Sequence, residues 1–312
     1  MAARTMIAFA ARRCLSAIPT LLIVITLAFF MMRLAPGGPF DQERALPPEI
    51  ERNVLAAYGL DEPLWRQYLD YLAGLTRGDF GPSFKYRDFT VAELIASGFP
   101  ASLQIGGLAM LCAMVFGVGL GTVAALRQNS ALDYTVMTFA MTGIAVPNFV
   151  MAPLLTLLFG VYLSVLPVAG WGGGAWINKL LPVVALALPQ VAYRARLTRG
   201  SMIEVLNSNY IRTARAKGLR EWLVVTRHAL KGALLPVVSY LGPATAAVAT
   251  GSVVIETIFD IPGTGRYFVE GALNRDYPLV MGVVVFYATL IIGLNLAVDL
   301  LYGLLDPKLR RR

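Results

Sequence analysis

Between Cys14 and Met32 the chain carries no charged residue. At about 1.5 Å per residue, a run of this length crosses a hydrocarbon core about 30 Å thick. A backbone entering lipid must satisfy its own N–H and C=O groups, so such a run folds as a helix. Five further apolar runs follow, at about 100–126, 134–166, 180–195, 233–254 and 279–302. Pro147 and Pro153 lie inside the third, which predicts a kink. The fourth has the faintest boundaries. The expected fold is an all-α polytopic membrane protein with six transmembrane helices. Composition agrees, since 15% of residues are charged, against about 25% in soluble domains.

Threading six spans with the N-terminus inside puts most of the 27 Lys and Arg residues on the inner face. The short outer loops then hold only Lys179, Arg266 and Arg275. The long loop from Arg33 to Gly98 crosses largely regardless of its charge. Both termini are therefore expected in the cytoplasm, and this asymmetry accounts for the basic net charge without a nucleic-acid partner. The first run is too long for a cleavable signal peptide, whose apolar region spans about 7–15 residues, so it reads as a retained helix. Cys14 and Cys112 fall in spans with no metal-ligand or disulfide spacing and read as packing residues. The resulting organisation is an inner N-terminal segment (1–13), a first transmembrane helix (14–34) and an outer-loop subdomain (35–98). A five-helix core (99–303) then carries a cytoplasmic loop at 199–232, followed by a basic tail (304–312).

That cytoplasmic loop holds the most specific pattern. From Tyr210 to Pro236 a basic, helix-forming segment sits between apolar spans. An ordinary orientation-setting loop would explain its charge, but not its periodicity. Ile203, Leu206, Tyr210 and Ala214 recur at helical spacing, with Arg212 and Arg215 directed elsewhere. Ser201 and Glu204 stand at capping-box spacing and mark the start of that helix. Trp222, Val225, Ala229 and Ala233 repeat the arrangement downstream. Gly218 separates the two helices, as the residue type that accepts the left-handed conformation closing a helix.

The outer loop is too long for a bare connection. Asp61 and Pro63 mark a helix start, and Leu64, Trp65, Tyr68, Leu69, Leu72 and Leu75 form its apolar stripe. Residues 78–83 and 167–176 read as turn clusters. Catalytic chemistry is not legible: there is one histidine, His228, and no HExxH, CxxC, GxSxG or P-loop. Gly263-Thr264-Gly265 lacks the spacing and lysine of a phosphate loop. Glu256 and Asp299 are ionisable groups in or near spans, which marks them as transport-path candidates or as structural hydrogen-bonding groups.

The segment Thr213-Ala214-Arg215-Ala216-Lys217-Gly218 resembles the EAA loop of ABC importer permeases. Tyr210-Ile211-Arg212-Thr213 before it and Arg227-His228-Ala229-Leu230 after it look like the peptide/nickel branch of that family. Arg212 stands where the general pattern has Glu, and Lys231 where it has proline, with Pro236 five residues on; the branch shares these departures. The likeness extends over essentially the whole chain. It includes Arg33-Leu34-Ala35-Pro36-Gly37, Gly78-Asp79-Phe80-Gly81-Pro82-Ser83, Glu256-Thr257-Ile258-Phe259, Asn274-Arg275-Asp276-Tyr277 and Asp306-Pro307-Lys308. Ser83-Phe84-Lys85-Tyr86 and Arg199-Gly200-Ser201-Met202-Ile203-Glu204 look most like oligopeptide-importing members.

The resemblance implies a type I ABC importer permease fold in a bacterial inner membrane. It implies a homologous second permease, two cytoplasmic ABC ATPases that use ATP and Mg, and a periplasmic peptide-binding protein that delivers peptide to the outer loops. It implies no cofactor bound by this chain and no enzymatic step of its own. Arg212, Thr213, Ala214, Arg215, Ala216, Lys217, Gly218 and Leu219 are the expected ATPase contact. Dipeptides, glutathione or nickel are alternative cargoes within the branch. An ion-coupled secondary transporter is the rival from another class, although the two matching halves and broken midplane helices common there are not seen. A membrane-embedded enzyme is the other rival, and no span carries a constellation for it.

Overall fold

The computed structural model describes residues 2–34, 56, 58–86 and 88–305, and side chains at 11–34, 56, 58–86 and 88–300. Most of the first half of the outer loop, at 35–55, and the tail from 306 onward lie outside the described residues. Among the described residues the protein is helical, with one isolated β-bridge between Pro82 and Thr90.

Among the described residues twelve α-helices follow in order: α1 Ala2–Leu34, α2 Leu64–Thr76, α3 Val91–Leu126, α4 Ala131–Ala145, α5 Asn148–Leu155 and α6 Trp176–Leu206. Then come α7 Asn209–Ala216, α8 Glu221–Leu223, α9 Leu230–Ser239, α10 Leu241–Ile258, α11 Thr264–Leu273 and α12 Tyr277–Leu305. Among the described residues five helices are long and apolar enough to cross a membrane: Ala11–Leu34 of α1, then α3, α6, α10, and Tyr277–Leu300 of α12. The third expected span differs from its expectation. It is not one kinked helix but two arms, Ala131–Ala145 and Asn148–Tyr162, set at 106°. Proline disfavours the α region for the residue before it, and Val146 is extended at φ −88°, ψ 118° just before Pro147. The second arm ends in a π-helical turn, Thr156–Tyr162, just past Pro153.

The fifth expected run is also divided. Helix α9 ends at Ser239, and α10 restarts after Tyr240 between Pro236 and Pro243. The fourth, read as 180–195, is a 31-residue helix reaching Leu206. Ser201 and Glu204 therefore lie inside α6 and cap nothing. A capping box does occur elsewhere: Thr90 N–H and Oγ1–H each donate to Glu93 Oε2 at 2.8 Å, and Glu93 N–H donates to Thr90 Oγ1 at 3.3 Å, opening α3.

The chain divides into two compact units. The first comprises Met1–Leu15, Leu103–Ile261 and Ile291–Arg312, and α6 is its hub, packed against α4, α5, α9 and α10. Small residues permit the close crossing of α3 and α6. A Cβ on Gly121 would stand 2.4 Å from the Ala195 carbonyl oxygen, and one on Gly117 would stand 2.7 Å from the Arg194 Cβ. Asp133 at the start of α4 is pinned to α6 by Arg199, with Nε to Oδ1 at 2.5 Å and Nη2 to Oδ2 at 2.6 Å. Arg194 of α6 is fully buried, donating to the Gln190 carbonyl and side-chain oxygens.

The second unit comprises Ser16–Ser102 and Pro262–Leu290. Its core is Val91, Leu94, Ile95, Leu279 and Val283, with Phe80, Tyr86 and Phe286 packed around them. Helix α2 begins after Pro63 as expected and lies on α1, where the Tyr68 and Thr26 hydroxyls are 2.7 Å apart. The turn cluster at 78–83 is confirmed by Gly78 and Gly81 at φ 75° and 85°. Buried Asp276 anchors it, accepting from Ser83 Oγ at 2.5 Å and from Lys85 N–H at 3.2 Å. Cys14 and Cys112 are free thiols, and Cys14 lies on the surface of α1 rather than in packing.

Candidate coupling site

The segment that follows α6 is a helix–turn–helix with a thin apolar floor. Helix α6 stops at Asn207, and α7 restarts from extended Ser208. Ile203 and Leu206 therefore belong to α6 rather than to one helix with Tyr210 and Ala214. They still meet Ala214 in the same cluster, because the chain folds back. Ala125, Met202, Ile211, Ala214, Val224, Val225, Ala229 and Ala233 are its buried members, with Ile203 and Leu206 packed against them. Ile211 and Ala214 are three apart on α7, so one face is buried and the rest of that helix is left to water.

Helix α7 ends in a Schellman closure. Gly218 N–H donates to the Arg215 carbonyl at 2.9 Å and Leu219 N–H to the Ala214 carbonyl at 3.4 Å, with Gly218 at φ 76°. Arg215 then reaches over the turn to Glu221, Nη2 to Oε1 at 2.6 Å and Nε to Oε2 at 3.2 Å. That guanidinium holds the Glu221 carboxyl below the usual carboxylate range. The geometry thus brings the two ends of the turn together, and it leaves Arg212, Thr213, Arg215, Ala216, Lys217, Gly218 and Leu219 exposed on a crest, with Ala214 beneath them.

Two apolar side chains flank this cationic crest. Tyr210 is 50% exposed and Trp222 is 61% exposed, both more than a water-facing loop needs. Trp222 was expected on the buried face with Val225 and Ala229. A π-helical turn at Val224–Ala229 adds a residue to the local period, which buries Val224 beside Val225 and turns Trp222 outward. The crest therefore offers cations for carboxylates and two rings for an apolar cleft, as a protein-docking surface does.

The two other candidates lie apart from the crest. Glu256 is fully buried in α10. Asp299 in α12 is paired with Arg13 of α1 at 3.0 Å. Sequence reading passed over Asp133. The Ser130 N-cap three residues ahead and a carboxylate at the edge of an apolar run were its signals.

The long apolar helices mark a multi-pass membrane protein. The broken helix at Val146, contrary to the expectation that no broken helices occur, is a feature that secondary transporters share. Residues 117–311 match the family Binding-protein-dependent transport system inner membrane component, and residues 6–105 match its N-terminal counterpart. The chain belongs to this family of multi-pass inner-membrane proteins. It is 57% identical to the oligopeptide transport system permease protein OppB of Salmonella typhimurium over 98% of this chain and 100% of that protein. It is 56% identical to OppB of Escherichia coli K12 over the same shares. The dipeptide transport system permease protein DppB of Bacillus subtilis is 46% identical over 93% of this chain and 94% of its own. A crystal structure of an amino acid ABC transporter with histidines matches 68% of this chain and 92% of its own, at 19% identity and a TM-score of 0.46.

Proposed function

We propose that this chain is the oligopeptide-translocating permease subunit of an ATP-driven importer. The observation that carries the reading is the 57% identity to an oligopeptide permease over 98% of the chain. The binding-protein-dependent family already entails a binding protein and an ATPase as partners. The finer assembly is one homologous second permease, two cytoplasmic ABC ATPases that consume ATP and Mg, and a periplasmic peptide-binding protein. Both termini lie in the cytoplasm, so that the crest faces the ATPases.

On this reading Arg212, Thr213, Ala214, Arg215, Ala216, Lys217, Gly218 and Leu219 form the ATPase contact. Helix α7, closed by its turn and seated on a continuous apolar floor, moves as a small lever and carries α6 and α9 with it. Trp222 and Tyr210 are the apolar anchors beside it. Glu256, buried in α10, borders the path. Asp299, held by Arg13, ties α12 to α1 and acts on the path only through that joint.

Gentle solubilisation from the native membrane, followed by mass spectrometry, tests the assembly. Co-recovery of a second permease, two ATPases and a peptide-binding protein is expected. Recovery alone, with transport surviving ATP depletion, would return the secondary transporter to first place.

A further inference from the structure

A cavity of about 280 Å³ lies in the second unit, walled by the rings of Phe29, Tyr71, Phe80 and Phe84 and by Arg33 at the end of α1. Its volume is near the lower end of small-ligand pockets, which run from about 300 Å³. That is room for one or two residues of an extended chain and too little for a folded partner.

The polar groups of this cavity are incompletely used. The Arg33 guanidinium stands over the Phe29 ring at 5.4 Å and the Tyr277 ring at 5.8 Å. Among the described residues it makes no hydrogen bond and no ion pair, and its Nε is buried without a partner. The Tyr71 hydroxyl and Gln67 Oε1 line the same cavity, and each is buried without a partner. Buried polar groups are ordinarily paired, and each exception calls for a reason. Here three lie around one hollow. Two contacts with rings are a weaker partner for a guanidinium than a two-point carboxylate pair. Asp70, exposed on the same wall, supplies the opposite charge.

We infer that this cavity receives the C-terminal residue of a peptide, its carboxylate on Arg33 and its side chain among the rings. The Tyr71 hydroxyl is the second donor to the carboxylate. Gln67 Oε1 accepts from the last peptide N–H, and Asp70 faces the positive end of a short peptide. A carboxylate fits better than a neutral carbonyl, because a two-point guanidinium pair is a charge-assisted contact. This inference rests on the peptide-importer reading.

The test uses the assembled importer in lipid nanodiscs without its binding protein. The probe is a tripeptide with a photoreactive C-terminal phenylalanine analogue, as the free acid and as the C-terminal amide. Labelled residues are mapped by mass spectrometry. The acid is expected to label residues 58–84, and the amide about tenfold less, the fold-change that one charge-assisted hydrogen bond supplies. Arg33→Gln should remove this preference, and Arg33→Lys should keep part of it. Equal labelling by acid and amide in the unmodified protein would overturn the inference, without recourse to any variant. So would labelling only elsewhere. ATPase stimulation by peptide-loaded binding protein, read in the same nanodiscs, separately decides the importer. Stimulation without the acid preference removes the cavity alone.

Discussion

Arg199–Asp133 and Arg215–Glu221 are both two-point guanidinium–carboxylate pairs with closest contacts of 2.5 Å and 2.6 Å. Their surroundings differ. The Asp133 side chain is 1% exposed and Arg199 is 25% exposed, whereas Arg215 and Glu221 are 42% and 56% exposed. Asp133 also accepts from Asn129 N–H at 2.9 Å, so its carboxylate is held from two sides. The first pair is thus a fixed joint between the broken span and α6. The second is a latch across a turn that water can replace. The proposed lever would use both: a stiff attachment to α6 and a crest whose surface bonds can open to a partner.

The largest effect should come from breaking the joint. Removing one member of a buried pair costs about 3–5 kcal/mol, and the partial exposure of Arg199 puts Asp133→Asn near the lower end. A lower detergent melting temperature and reduced yield of folded protein are expected. Next, Arg199→Lys keeps the charge and loses the second contact point. It should recover most of the folded protein with a smaller fall in melting temperature. Glu221→Gln should cost under about 1 kcal/mol, as exposed pairs do, and leave the melting temperature nearly unchanged. A similar fall for Glu221→Gln and Asp133→Asn would end the distinction.

Smallest is the effect of pH on the latch. Glu221 titrates below its ordinary value, so its contribution is fully present above about pH 4.3 and is lost as pH falls through the folded value. Amide exchange of residues 216–221 should quicken there, after correction for intrinsic rates, with no comparable change around Ala195.

The apolar runs were legible because lipid imposes a length and forbids charge. Helix α6 was faint for a physical reason. Its best window has a mean hydropathy of 1.2 and is 50% buried inside the protein, against 2.4 and 11% for α1. A helix surrounded by other helices can be less greasy than one facing lipid. The break at Val146 was written in the β-branched residue before Pro147, a stronger signal than the proline alone. Ser201–Glu204 and Thr90–Glu93 have the same spacing, and only the second follows a turn. The π-helical turn that exposes Trp222 departs from the 3.6-residue period, so periodicity pointed the wrong way. Arg199 and Asp133 are 66 residues apart, and pairing at that separation is a property of the fold.

The central claim is that the turn at Gly218 transmits ATPase movement, and two substitutions there test it most directly. A Cβ on Gly218 would meet nothing within 4 Å, so the backbone conformation alone decides the local cost. Asn tolerates φ 76° and a β-branched residue does not. In the reconstituted importer with peptide-loaded binding protein, Gly218→Asn should retain stimulated ATPase activity and uptake. Gly218→Val should lose both while the complex stays assembled. Equal, undiminished stimulation and uptake in the two variants would contradict the account.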